Sequence, residues 1–219
     1  ALFGVIFNLG VYYPLRHRTF LPVIIATIGA SIFLANSVLA IYGPAPQVLE
    51  GWFETPGIQL GPVYLDSQYL LIIAVTIALV ILNYWFFEHT MLGKKLQATS
   101  QDKEMASLLG ISVSSMIMIT FIYSAVLGGL AGILVAPILF VSIQMGATIA
   151  LKAFAATIIG GFGDVTGAII GGIALGIIET FGAAYISVPY KDAFAFLVLI
   201  AFLVFRPQGI FGERVAEKA

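Results

Sequence analysis

The chain has no cysteine and only two histidines, His17 and His89, in 219 residues. The first absence removes disulfide frameworks, thiolate nucleophiles and zinc-finger sites; it fits either side of a membrane and leaves the redox compartment open. The second leaves too few imidazoles for a His-rich metal site. Charge is scarce as well. Only 10% of the residues are ionised at neutral pH, where a soluble domain carries about 25%. Ten bases against eleven acids give a net charge of -1, so no overall field exists to recruit nucleic acid. Residues 160–164 (GGFGD) match neither GxxxxGK[ST] nor a GxGxxG after a strand, and no Walker pattern occurs elsewhere. No Ser/His/Asp or paired-carboxylate constellation can be assembled, because both histidines flank basic turns. An ordinary soluble protein is excluded, and an enzyme has little to stand on.

What the chain has is apolar length. Hydrophobic residues make up 60% of it, with a mean hydropathy of +1.06. Residues 20–42 and 69–87 contain no ionisable side chain and are long enough to cross a bilayer. Residues 1–13 are apolar but short and begin with Ala, so they read as the tail of a cut helix and the chain as an N-terminally truncated fragment. Arg16 and Arg18, then Lys94, Lys95 and Lys103, then Arg206, Arg214 and Lys218 fall in three segments. The positive-inside rule makes those segments cytoplasmic. The Pro- and Gly-rich stretch 43–67 has no Lys or Arg and faces outward, with Trp52 and Tyr64 suited to an interface. Between 111 and 206 the apolar material provides four crossings, roughly 113–135, 138–159, 165–183 and 192–205. Gln144, Gly146, Thr148 and Lys152 interrupt the second, for which a re-entrant half-helix is the alternative. The expected fold is all-α: a polytopic integral membrane helix bundle with about six complete transmembrane helices and a truncated N-terminal one. Residues 1–219 form one transmembrane domain, with 43–67 as an extracytoplasmic loop and 88–111 as a cytoplasmic one.

Three groups of residues are candidates for packing or function. Gly128 and Gly132, then Gly163, Gly167 and Gly171, then Gly172 and Gly176 recur every four residues and offer small faces for close helix packing. Lys152 and Glu179 are the ionisable residues nearest to membrane depth, each costing about 2.5 to 3.5 kcal/mol at the midplane. Together with Asn36 they are candidates for a translocation path; snorkelling, structural pairing or helix-to-helix hydrogen bonding is the competing explanation. Within the cytoplasmic loop, residues 101–109 read as a short helix with Ser100 as its N-cap and Asp102 and Glu104 in its first turn. Met105, Ala106, Leu108 and Leu109 form an apolar stripe that fits either a groove on a partner or the membrane surface.

Several stretches together resemble the membrane permeases of bacterial branched-chain amino acid ABC transporters, the LivH/LivM permease family and its LivH type in particular. They are PLR (14–16) with ATIGAS (26–31), GKKLQATSQDKEMASLLGI (93–111), LGGLAGIL (127–134), LKAFAATIIGGFGDVTGAIIGG (151–172) and YKDAFAFLVLIAFLVFRPQGIFG (190–212). They cover nearly the whole chain in order. The resemblance implies an inner-membrane permease that translocates branched-chain or other hydrophobic amino acids. It implies a second homologous permease, giving a heterodimer, two cytoplasmic ABC ATPase subunits that hold ATP and Mg, and an extracytoplasmic substrate-binding protein. No cofactor is implied for this chain. Carried over by position, Ala98, Asp102, Ala106, Leu109 and Gly110 contact the ATPase and transmit its closure to the bundle. Similar permeases serve urea, short amides and other small solutes, and an ion-coupled secondary carrier is the more distant alternative.

Overall fold

The computed structural model describes residues 1–16, 18, 20–49, 58–60, 63–139, 141–161, 165–206 and 208–210. They are helical apart from turns, one isolated bridge and one short hairpin. The order is α1 (Leu2–Phe7), a π-helical stretch (Asn8–Tyr12), α2 (Tyr13–Leu15), α3 (Phe20–Tyr42), β1 (Ile58–Leu60), β2 (Val63–Leu65), α4 (Ser67–His89), α5 (Met91–Gln101), α6 (Lys103–Leu108), α7 (Val113–Val135), α8 (Met145–Gly160), α9 (Val165–Tyr185) and α10 (Lys191–Phe205). The strands pair antiparallel, Ile58 opposite Leu65 and Leu60 opposite Val63. Trp52, His17 and Gly163 lie outside the described residues.

Four helices, α3, α4, α7 and α9, are long and apolar enough to cross a membrane. The other two expected crossings are shorter. With 16 residues in α8 and 15 in α10, a rise of 1.5 Å per residue gives about 24 and 22 Å, less than the roughly 30 Å hydrocarbon core. The expected helix 138–159 loses its first seven residues for a local reason. Pro137 has no amide hydrogen to continue the ladder of α7, which ends at Val135, and Val141 then pairs both ways with Gln47, at 3.0 and 2.9 Å.

The chain divides into two compact units, Ala1–Met145 and Gly146–Ala219, where the sequence reading has one domain. In the first unit, α1 lies so close to α7 that a Cβ on Gly4 would sit 2.7 Å from Cα of Ile122. Phe7 and Tyr12 flank Phe121 with ring centroids 5.7 and 5.6 Å away. Two neutral polar contacts align α4 antiparallel to α7: Gln68 Nε2 donates to the Leu134 carbonyl at 3.2 Å, and the Tyr123 hydroxyl donates to Asn83 Oδ1. Phe86 stacks on Tyr123 at 5.2 Å. Such contacts join helices where lipid offers no hydrophobic drive between them.

In the second unit the core is Ala155, Ala156 and Ile159 of α8, Leu175 of α9 and Ala195 of α10. Small residues let these backbones meet. A Cβ on Gly171 would come within 2.8 Å of Gly160 N, and one on Gly160 within 2.6 Å of Ala168 N and against the backbone of Gly167. Gly182 makes room for the ring of Phe194. Gly172 has only the Ala156 methyl nearby, and a Cβ at Gly128, Gly132 or Gly176 would meet nothing within 4 Å. Among the described residues, none packs closely on those last three.

Candidate functional site

The segment 91–108 is two helices, where the sequence reading places one over 101–109. Thr90 has extended backbone, and its Oγ1 accepts from Gly93 N at 3.0 Å while donating to the Phe86 carbonyl at 2.6 Å. One hydroxyl thus closes α4 and opens α5. Gly93 is buried against the Phe86 and Phe87 backbone, and the exposed Lys94 to Glu88 ion pair at 2.7 Å spans the same corner. At Asp102 the chain is extended again, with φ -149° and ψ 110°, and the Asp102 carboxylate accepts from Glu104 N at 2.8 Å and Met105 N at 3.0 Å. Asp102 is therefore the N-cap of α6. Ser100, the expected cap, instead lies in the last turn of α5 and donates to the Gln97 carbonyl. An N-cap needs non-helical backbone, which Asp102 has and Ser100, inside α5, does not.

The C-terminus of α6 is fixed just as tightly. Gly110 has φ +78°, and Ile111 N bonds to Ala106 O while Gly110 N bonds to Ser107 O, both at 3.0 Å. This is the Schellman arrangement, in which a residue with a Cβ at the left-handed position is strained. The five residues proposed for coupling divide accordingly. Asp102 and Gly110 fix the helix ends, Ala98 is half-buried, and Ala106 is only 1% exposed and turned inward. Leu109 is exposed, as are Met105 and Leu108, and these three present an apolar outer face. In this conformation that face, and not Ala106, is open to contact.

The second site is a charge cluster in the Gly146–Ala219 unit. Lys152 Nζ of α8 lies 2.6 Å from Glu179 Oε1 of α9 and 2.7 Å from Asp192 Oδ1 of α10. Lys191 Nζ approaches the same Glu179 oxygen at 3.5 Å. Glu179 is buried, whereas Lys191 and Asp192 stand about half exposed. Two ammoniums and two carboxylates give no net charge, and each of the buried pair keeps a second partner at the rim. Pairing meets the cost of placing these groups among apolar helices. Sequence reasoning found Lys152 and Glu179 but not Lys191 and Asp192. The available signal was the adjacent opposite pair at the start of an apolar run. Asn36 lies in the other unit and donates to the Ile32 carbonyl of its own helix.

Long apolar helices joined by a capped amphipathic helix pair, with a neutral ion cluster tying three further helices, define a multi-pass membrane protein with built contact and charge sites. The chain belongs to the family described as branched-chain amino acid transport system / permease component, whose model matches residues 1–203. It is 34% identical to the high-affinity branched-chain amino acid transport system permease protein BraD of Pseudomonas aeruginosa, over all of this chain and 73% of the relative. Against the corresponding protein LivH of Escherichia coli K12 it is also 34% identical, over 94% of this chain and 69% of the relative. Against the autoinducer 2 import system permease protein LsrC of Yersinia pseudotuberculosis it is 30% identical, over 84% of this chain and 54% of the relative. No solved structure gives a significant match. These relatives are permease components of transport systems, not enzymes.

Proposed function

We propose that the chain is the membrane-spanning permease subunit of an ATP-driven importer of branched-chain amino acids in a bacterial inner membrane. Hydrolysis of ATP with Mg takes place in two cytoplasmic ATPase subunits. A second, homologous permease completes the path, and an extracytoplasmic binding protein delivers the substrate. The observation that carries the mechanism is the apolar face of Met105, Leu108 and Leu109, held out by a helix fixed at both ends in a base-bearing segment. Such a face enters a partner's groove as a rigid body. ATPase closure then moves α5 and α6 together, and the bundle rocks between inward and outward access. The Lys152 and Glu179 pair lies on the moving helices, and separating it leaves Lys152 with Asp192 and Glu179 with Lys191, so the motion strands no buried charge. Substrate class rests on the likeness to BraD and LivH.

The test is co-purification with the neighbouring ATPase, together with leucine uptake, for wild type and a Leu108→Glu, Leu109→Glu double variant. Retained membrane insertion with ATPase association weakened at least tenfold is expected, since a charge in a buried apolar contact costs more than the roughly 1.4 kcal/mol of a tenfold change. Unchanged association would move the contact away from α6. Uptake of another solute class with the native binding protein, and none of leucine, would overturn the substrate reading.

A further inference from the structure

A cavity of about 300 Å³ lies between the cytoplasmic helices and α7, lined by Leu96, Thr99, Ser100 and Lys103 on one side and by α7 residues from Met116 to Ser124 on the other. We infer that it binds one acyl chain of an anionic phospholipid from the cytoplasmic leaflet, with Lys103 meeting the phosphate.

The walls are mostly apolar. Thr99 directs its hydroxyl to the Lys95 carbonyl at 2.8 Å, Ser100 to that of Gln97 at 2.8 Å and Thr120 to that of Met116 at 3.0 Å. Three of the four lining hydroxyls are therefore engaged on backbone, and their carbons join Leu96, Met116, Ile117 and Phe121 in a mostly apolar lining; the Ser124 hydroxyl alone does not give a water molecule the two to four partners it needs. The cavity also lies at a lipid's depth. Met116 to Ser124 spans nine residues, and so eight rises, of a helix that begins at Val113. At 1.5 Å per residue that is about 12 Å, most of the roughly 15 Å hydrocarbon half-thickness, starting at the base-bearing end. The one charged lining group is placed for a headgroup. Lys103 is exposed and has no ion-pair partner among the described residues, in the segment that the base distribution places in the cytoplasm. Basic groups beside gaps between membrane helices on that side select anionic lipid. This face is distinct from the exposed Met105, Leu108 and Leu109 face, so lipid and ATPase do not compete for it.

The test is native mass spectrometry of the assembled, delipidated transporter titrated with dioleoyl phosphatidylglycerol and, separately, dioleoyl phosphatidylcholine. Wild type, Lys103→Gln and the cavity-filling Thr120→Leu are compared, each checked for intact assembly. One base near a headgroup is worth about a fivefold preference for the anionic lipid. Wild type should show that preference, Lys103→Gln should bring it close to unity with phosphatidylcholine retention unchanged, and Thr120→Leu should lower retention of both lipids. Equal retention of the two by wild type would overturn the inference. A preference untouched by Lys103→Gln would overturn it, as would retention untouched by Thr120→Leu. Crosslinking of Ser124→Cys to the ATPase would show a protein occupant instead.

Discussion

In α9, Gly171 approaches α8 so closely that a Cβ would stand 2.8 Å from Gly160 N, whereas Gly128 and Gly132 of α7, also four residues apart, meet none of the described residues within 4 Å. Both helices are apolar and lipid-length. What separates them is the neighbour: α8 answers with Ala156 and Gly160, so two backbones touch, while the α7 glycines have no counterpart in their own unit. Small-residue spacing states that a helix can be approached closely. It does not state by what.

Breaking the α9 contact should have the largest effect. Gly171→Val puts a branched side chain into backbone that cannot retreat, and on the order of 4 kcal/mol of stability should be lost, read as collapse of the monodisperse peak and a steep fall in thermal midpoint in detergent. If Gly171→Val purifies like wild type, the contact is not as close as described. Next comes Glu179→Ala, which leaves Lys152 with Asp192 alone. About 3 kcal/mol should be lost, and a double-mutant cycle with Lys152→Met should recover part of it because the charges that then remain, Lys191 and Asp192, stand about half exposed to solvent. Additive losses would mean the pair is uncoupled. Smallest is Gly132→Ala, which should leave the isolated chain unchanged or stabilise it by about 0.5 to 1 kcal/mol through helix propensity. If it weakens only assembly with the second permease, the open glycines of α7 are an interface between subunits.

Much of the fold is visible in apolar run length alone. The expected 20–42 and 113–135 coincide with α3 and α7, because an uninterrupted apolar stretch in lipid has to satisfy its own backbone and a helix does so locally. The boundaries that differ depend on single residues. Pro137 delays α8, and Asp102 and Ser100 are both competent caps whose choice is settled by an extended Asp102 backbone. The β1 and β2 hairpin was hidden because three-residue strands leave no periodicity to read. For the candidate site, Asp102 was legible as a first-turn acid and Leu109 as part of an apolar stripe, whereas Gly110 entered only through the family resemblance, with no reading of it as a helix cap. The inward turn of Ala106 was not, since Ala suits either face of a short helix. The rim partners Lys191 and Asp192 depend on how α8, α9 and α10 converge, which follows from glycine contacts rather than from any local pattern.

The Thr90 corner has a mechanical consequence. Its hydroxyl holds the Phe86 carbonyl in the last turn of α4 and the Gly93 amide in the first turn of α5 at once, and Gly93 leaves no gap between the two helices into which the corner could fold. No slack residue separates them. A push delivered to α5 is therefore passed on as a torque along the 23 residues of α4, the way a crank turns a shaft, with little of the stroke absorbed at the bend.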